Sequence, residues 1–402
     1  MGDIYSAIKV SDHVYWVGAI DWSIRDFHGY TTPHGSTYNA YLVMADKITL
    51  IDAVKAPFMD EMLARIASVV DPSKIDYIVS NHSEQDHSGC LFEVIDHVKP
   101  EKVFASPMGV KTLKDIFHDD YNILPVKDGE ILSLGNMDLK FMETRMIHWP
   151  DSMFSYLEKD GILFSQDAFG MHLATFERFA DELPADQLTY EAATYYANIV
   201  LPYSPVVLKT LEKVAATGWA IKIIAPDHGP VWRKDLGFIL DLYQKWAGQK
   251  ATNKAVVVYA TMWHSTEMMA RAIAESMARE GVQVKLLSMN ETHRSEVVYE
   301  VLEAGALIAG SPTLNNNMLP QMADVMTYLK GLKPANLIGA AFGSFGWSGE
   351  SVKDLEAILK EMKVEIVAEP VSVKHVPGKD ILDKCSELGK SVAAELKKRL
   401  SH

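Results

Sequence analysis

Between about residue 40 and residue 235, apolar residues come in short runs, and several of those runs stop at a polar cluster holding His or Asp. IDYIVS (75–80) leads into NHSEQDHSG, LKFMET (139–144) into RMIHWPDS, GILFSQ (161–166) into Asp167, and AIKIIA (220–225) into PDHGP. Runs of this length, bounded by turn formers, read as buried strands. Four strands are thus expected to deliver polar side chains to one end of a sheet scaffold. If 82–87 is an extended loop, residues 82, 84 and 86 project to one side and His87 to the other, because side chains alternate along an extended chain.

Past a helical stretch at about 234–247 and the polar segment GQKATNK, the pattern changes to regular strand–helix alternation. The boundary is expected near 250, with one domain over 1–250 and a second over 251–402. Strands are predicted at 255–260, 282–289, 306–311, 337–343 and 364–371. Helix-period apolar positions fill 266–280, 296–304, 318–331 and 350–362, and a Lys/Arg-rich helix closes the chain over 380–400. Five strands alternating with helices imply a parallel, doubly wound sheet with right-handed crossovers.

Composition narrows the class. The 402 residues, 48% hydrophobic and 23% charged, are those of a folded globular protein with room for two cores. A net charge of −14 opposes attraction to nucleic acid or to an anionic membrane face. With no signal-like start and no apolar run near the length of a spanning helix, a soluble cytoplasmic protein is expected. The two cysteines, Cys90 and Cys385, are too few for a disulfide framework or for the four thiolates of an iron–sulfur cluster. Redox chemistry here requires other cofactors.

The candidate metal ligands are His82, Glu84, Asp86, His87, His148, Asp167 and His228. Each alone reads as a solvated loop residue or a local cap. Together they form His-x-Glu-x-Asp-His, then His about 60 residues on, Asp about 20 later and His about 60 later again. That order resembles the metallo-β-lactamase superfamily, whose hydrolases carry His where Glu84 stands. A carboxylate oxygen in place of an imidazole nitrogen makes the site harder and more anionic, which favours iron over zinc.

In the second domain, Thr261, Met262, Trp263, His264, Ser265 and Thr266 form a hydroxyl-rich turn between strand and helix, suited to an anion such as a phosphate. The turn resembles the flavodoxin phosphate loop. Two later strand ends complete a candidate FMN site: Ser311, Pro312, Thr313, Leu314, Asn315 and Asn316, then Ser344, Phe345, Gly346, Trp347, Ser348 and Gly349. Ligands of doubly wound sheets sit outside the carboxyl ends of the strands. Trp347 is placed to stack on or flank the isoalloxazine ring.

A metallo-β-lactamase-like αββα sandwich followed by a flavodoxin-like doubly wound parallel sheet is similar to the flavodiiron proteins over the whole chain. The resemblance implies a diiron centre, with His82, Glu84 and His148 on one iron, Asp86 and His228 on the other, and Asp167 bridging. His87 matches a ligand of the second iron in most members, at a position that can also swing away and leave a water. His28, Tyr195 and Tyr196 match positions near the substrate pocket. The implied activity is four-electron reduction of O2 to water, with NO reduction to N2O also open. Rubredoxin is the implied electron donor to FMN, and the implied assembly is a head-to-tail homodimer. The alternative is a zinc hydrolase carrying an accessory flavodoxin domain; a non-enzymatic electron carrier or sensor is a third reading.

Overall fold

A computed structural model of the chain describes residues 4–118 and 121–401. The chain divides into two compact units: residues 4–27, 32–195 and 205–244 in the first, and 28–31, 196–204 and 245–401 in the second.

Two large sheets, beside a short two-stranded pairing of Ala19–Asp21 with Ser36–Tyr38, make up the β-structure that positions the site in the first unit. One has seven strands in the spatial order in which they occur: β1 (Ile8–Lys9), β2 (Val14–Trp16), β3 (Tyr41–Val43), β4 (Thr49–Ile51), β5 (Tyr77–Ser80), β6 (Lys102–Ala105) and β7 (Ile123–Pro125). Pairing is antiparallel from β1 to β4 and parallel from β4 to β7. The other sheet has five: β8 (Ile131–Ser133), β9 (Asp138–Glu143), β10 (Met153–Leu157), β11 (Ile162–Gln166) and β12 (Ile223–Pro226). Its only parallel pair is β11 with β12, where the register shifts between Phe164 and Gln166.

Alternation along the strands explains the layering. Tyr41, Val43, Tyr77 and Val79 join Leu139, Phe141 and Phe164 in a core between the sheets. Their neighbours Leu42 and Ile78 enter a second core with Met62 and Ile66 of α1 (Met59–Ala67), Leu91 and Val94 of α3 (Leu91–Val98), and Leu113 of α4 (Pro107–Phe117). A sheet buried on both faces needs such continuous apolar runs. The short helix α2 (Gln85–Ser88) lies between β5 and α3.

The polar clusters converge from both sheets: the 81–88 segment follows β5 of the first, whereas His148, Asp167 and His228 follow strands of the second. One expectation is corrected here: 82–87 is not extended throughout. Glu84 has extended φ/ψ of −60° and 144°, and the chain turns helical at Gln85. The period-two argument therefore ends at Glu84.

In the second unit, β13 (Lys254–Tyr259), β14 (Gln283–Ser288), β15 (Ala306–Leu314), β16 (Ile338–Phe345), β17 (Glu365–Ile366) and β18 (Val371–Lys374) make one sheet. Its order is β14-β13-β15-β16-β17, all parallel, and β18 pairs further along β16. Strand order reverses at β13, which creates the crevice that such sheets offer to a ligand. Ala255, Val257 and Tyr259 of β13 pack against Met269, Ile273 and Met277 of the helix Ser265–Arg279 and Leu388, Val392 and Leu396 of the closing helix Lys379–Leu400. The single strand expected at 364–371 is two short pieces, so the last strand end falls at Lys374.

Candidate functional sites

In the first unit, the turn after β5 and three strand ends of the second sheet bring seven side chains together in two groups. His82, Glu84, His148 and Asp167 form one, and Asp86, His87 and His228 the other; within each group one donor atom per residue lies within 4.8 Å of the rest. Asp167 Oδ2 is 3.2 Å from His82 Nε2 and 3.1 Å from His148 Nε2. Its other oxygen, Oδ1, is 3.2 Å from His87 Nε2 and 3.5 Å from His228 Nε2. One carboxylate thus offers an oxygen to each group.

These donors fit metal ions better than they fit one another. Asp167 and Asp86 are buried, and none of their four carboxylate oxygens has a hydrogen-bond partner among the described residues. Buried carboxylates without hydrogen-bond partners are expensive, and a cation is the usual remedy. Three carboxylates and four imidazoles are a hard, anionic set suited to a pair of iron ions.

The electrostatics agree. Burial opposes a charge on His148, yet the carboxylates of Asp167 and Glu84 hold its pKa up to about 9. His82 is likewise pushed well above its ordinary value, against burial, by Asp167 and Asp151. Burial works against ionisation of Asp167, but His82 and His87 bring its pKa well below the usual range.

The ring nitrogens facing away from the groups are held from behind. His228 Nδ1 donates to the Thr37 carbonyl at 2.6 Å, leaving Nε2 with its lone pair toward Asp86. His82 Nδ1 faces Asp151 Oδ2 at 3.3 Å, and the Ser83 amide donates to the same oxygen at 2.6 Å. Such partners orient a ligand and fix its tautomer. Gln166, with φ of 45°, accepts from the Asp167 amide at 2.8 Å and donates to the Ile147 carbonyl, tying together two of the converging segments.

Some of these residues escaped sequence reasoning. His172 follows no predicted strand, yet its ring lies 4.5 Å from that of His228 and its Nδ1 shares a 2.7 Å hydrogen bond with Ser36. Burial, helped by His228, depresses its pKa well below the usual value, so the ring is neutral. Asp151 and Asp227 stand beside His148 and His228 in the two motifs, and their proximity to those histidines was the available signal. Of the pocket candidates, Tyr195 ends α5 (Ala185–Tyr195) with its ring 5.2 Å from His172 and 6.0 Å from His228. Tyr196 belongs to the second unit, its hydroxyl 3.0 Å from Ser204 Oγ. His28 also groups with the second unit, exposed and lining an open groove with Arg294, Asp324 and Tyr328.

In the second unit, a cavity of about 680 Å³ opens at the carboxyl ends of β13, β15 and β16. It is lined by Thr261, Met262, Trp263 and Ser265, by residues 312–316, and by residues 344–348. Four expected residues lie off its wall. Thr266 is buried with its hydroxyl 3.0 Å from Ser344 Oγ, and Ser311 accepts from the Leu319 amide at 2.9 Å. His264 pairs with Glu267 at 2.8 Å, and Gly349 caps the helix Glu350–Glu361. These residues shape the loops from behind. His375 and Val376 complete the wall and were missed because the last strand runs to Lys374. Trp263 and Trp347 stand 85% and 91% exposed at the rim, free to lie along a flat ring system.

Comparison with known proteins matches both units. The family model for ODP family beta lactamases matches residues 37–229, and the flavodoxin model residues 257–389. The chain is 48% identical to the rubredoxin-oxygen oxidoreductase of Megalodesulfovibrio gigas, over 98% of this chain and 99% of the relative. It is 43% identical to the nitric oxide reductase of Moorella thermoacetica, over 97% and 98%. The structure of rubredoxin oxygen:oxidoreductase from Desulfovibrio gigas superposes with a TM-score of 0.97 at 47% identity, covering 99% of this chain and all of that one. That of the flavodiiron protein from Giardia intestinalis gives 0.91 at 35% identity, over 98% of each chain.

Proposed function

Because the chain belongs to the flavodiiron proteins, with a diiron centre and FMN as its cofactors, we propose that it reduces O2 to water with electrons from rubredoxin, and that NO is a second substrate. The observation that carries this reading is Asp167, whose two oxygens address the two ligand groups separately. We assign His82, Glu84 and His148 to one iron, Asp86, His87 and His228 to the other, and Asp167 to both. A hydrolase has no use for the second unit, and the relatives matched over both units are oxidoreductases.

The reaction O2 + 4 H⁺ + 4 e⁻ → 2 H2O needs four electrons, and two ferrous ions with one reduced FMN hold that number. Reduction of nitric oxide, 2 NO + 2 H⁺ + 2 e⁻ → N2O + H2O, needs half as many. The chain's own residues hold the donors rigid and dry: His82, Asp86, His87 and Asp167 are all buried. Tyr195 and neutral His172, packed on His228, are the groups we assign to passing protons inward.

No helix among the described residues is long and apolar enough to cross a membrane. We place the protein in the cytoplasm as a head-to-tail homodimer in which each FMN serves the partner's diiron centre, an arrangement supported by the family resemblance and by the prevalence of closed two-fold assemblies. Mixing a chain disabled in the diiron ligands with one disabled in the FMN loops tests this. Mixed dimers should regain activity that neither parent has, and a fully active monomer would refute the arrangement.

The decisive experiment for the activity is metal and flavin analysis of anaerobically purified protein, followed by oxygen uptake with reduced rubredoxin. Two irons and one FMN per chain with rapid uptake are expected. Zinc in their place and no uptake, after metal misloading is ruled out, would overturn the proposal.

A further inference from the structure

Behind His87 lies an interaction that the ligand set alone does not require. The ring is fully buried, with Nε2 3.3 Å from Asp86 Oδ2 and 3.2 Å from Asp167 Oδ1. On its far side Nδ1 faces Asp227 Oδ2 at 3.6 Å. Neither oxygen of Asp227 and neither nitrogen of His87 has a hydrogen-bond partner among the described residues, although all four atoms are buried. Asp52, the neighbouring buried carboxylate, is engaged elsewhere, accepting from the Asn81 amide at 2.6 Å and from the Asn81 side chain at 2.8 Å.

We propose that Asp227 is the positioning residue for His87, accepting its Nδ1 proton and so deciding whether Nε2 points into the second ligand group. The inference rests on the diiron reading above. When Nε2 gives its lone pair to a cation, the remaining ring proton is on Nδ1, and Asp227 Oδ2 is the acceptor that faces it. The carboxylate is mounted rigidly: the Asp227 amide donates to the Gln166 carbonyl at 2.8 Å, and its own carbonyl accepts from Asn39 at 2.7 Å. His228 and His82 are backed more firmly, by a carbonyl at 2.6 Å and by a carboxylate that a backbone amide also holds. The Nδ1 side of His87 faces Asp227 just beyond hydrogen-bond length, so its orientation is the adjustable one of the three.

The test is anaerobic titration of the chelated full-length protein with ⁵⁷Fe(II), following the affinity of each equivalent and its Mössbauer doublet. Asp227→Ala should weaken the second equivalent about 10- to 100-fold, leave FMN content unchanged, and shift the second doublet to that of His87→Ala. Asp227→Asn, which keeps an acceptor oxygen, should lose less. Because Asp227 acts through His87, the double variant should bind no more weakly than His87→Ala alone. The proposal is overturned if Asp227→Ala binds the second iron as the parent does, or if it adds a further loss in the His87→Ala background. Should Asp227→Ala fail to fold, Asp227→Leu, which keeps the volume but offers no acceptor, decides the matter: an unaltered second doublet and affinity overturn the proposal. Failure of the parent protein to take up two irons would instead overturn the diiron reading.

Discussion

Acidifying the solution during metal loading should weaken uptake steeply, and each cation bound should expel protons. The reason lies at His148. Burial disfavours its charged form, but Glu84 Oε2 and Asp167 Oδ2, each 3.1 Å from Nε2, outweigh that and hold the pKa up to about 9, against 6.5 for the free side chain. At pH 7 the gap is roughly two units, so only about one metal-free molecule in 100 offers the lone pair. A cation must displace that proton before Nε2 can donate. Apparent affinity for the group containing His148 should therefore rise about tenfold per unit between pH 6 and 8, and more steeply once the proton on His82 is counted. Folding stability of the metal-free protein runs the other way. The folded pKa is raised, so the stabilisation is complete below pH 6.5, is lost as pH rises through about 9, and is of order 3 kcal/mol. Calorimetric titrations of chelated protein in buffers of different ionisation enthalpy measure both proton release and affinity. Uptake without proton release, at an affinity that does not change from pH 6 to 8, would refute the reasoning.

Asp167→Asn should deplete iron from both groups and Glu84→Gln from one, which iron analysis per chain distinguishes. Gln166→Leu removes a donor from the Ile147 carbonyl and an acceptor from the Asp167 amide. At about 1–3 kcal/mol per stranded partner, it should destabilise the first unit by roughly 2–6 kcal/mol, read as a lower melting temperature. Trp347→Ala should weaken FMN binding about 2- to 10-fold, the worth of one aromatic contact, as measured by flavin fluorescence. Tyr195→Phe should slow turnover while leaving iron and FMN content unchanged, and normal turnover would remove the tyrosine from the proton path.

The candidate ligand residues were readable because each follows a short apolar run bounded by turn formers, which reads as a strand, and strand ends hold side chains rigidly. What the pattern did not carry was the pairing of those strands: nothing in IDYIVS or GILFSQ says that β5 and β11 belong to different sheets. The turn into helix at Gln85 was hidden because metal-loop residues of 82–87 give no apolar period. His172 follows no strand, and its importance comes from burial beside His228, a tertiary fact. In the second unit the three loops could be read from strand–helix alternation. His375 was lost to a boundary error, since VEIVAEPV reads as one apolar stretch where the chain makes two short strands separated by a break.

The register shift between Phe164 and Gln166 has a consequence for anyone who would transplant this centre. β11 and β12 run parallel up to Phe164 opposite Ala225, and after the shift Gln166 stands opposite Pro226, so one extra residue on β11 sets how Asp167 emerges relative to Asp227 and His228. Side chains alternate with a period of two, so deleting that residue would turn Asp167 toward the opposite face while leaving every ligand present in the sequence. Copying the seven donors onto another sandwich would therefore produce a protein with the right inventory and no centre. The smallest portable piece is the irregular strand pair itself, carried together with the β5 turn that meets it from the facing sheet.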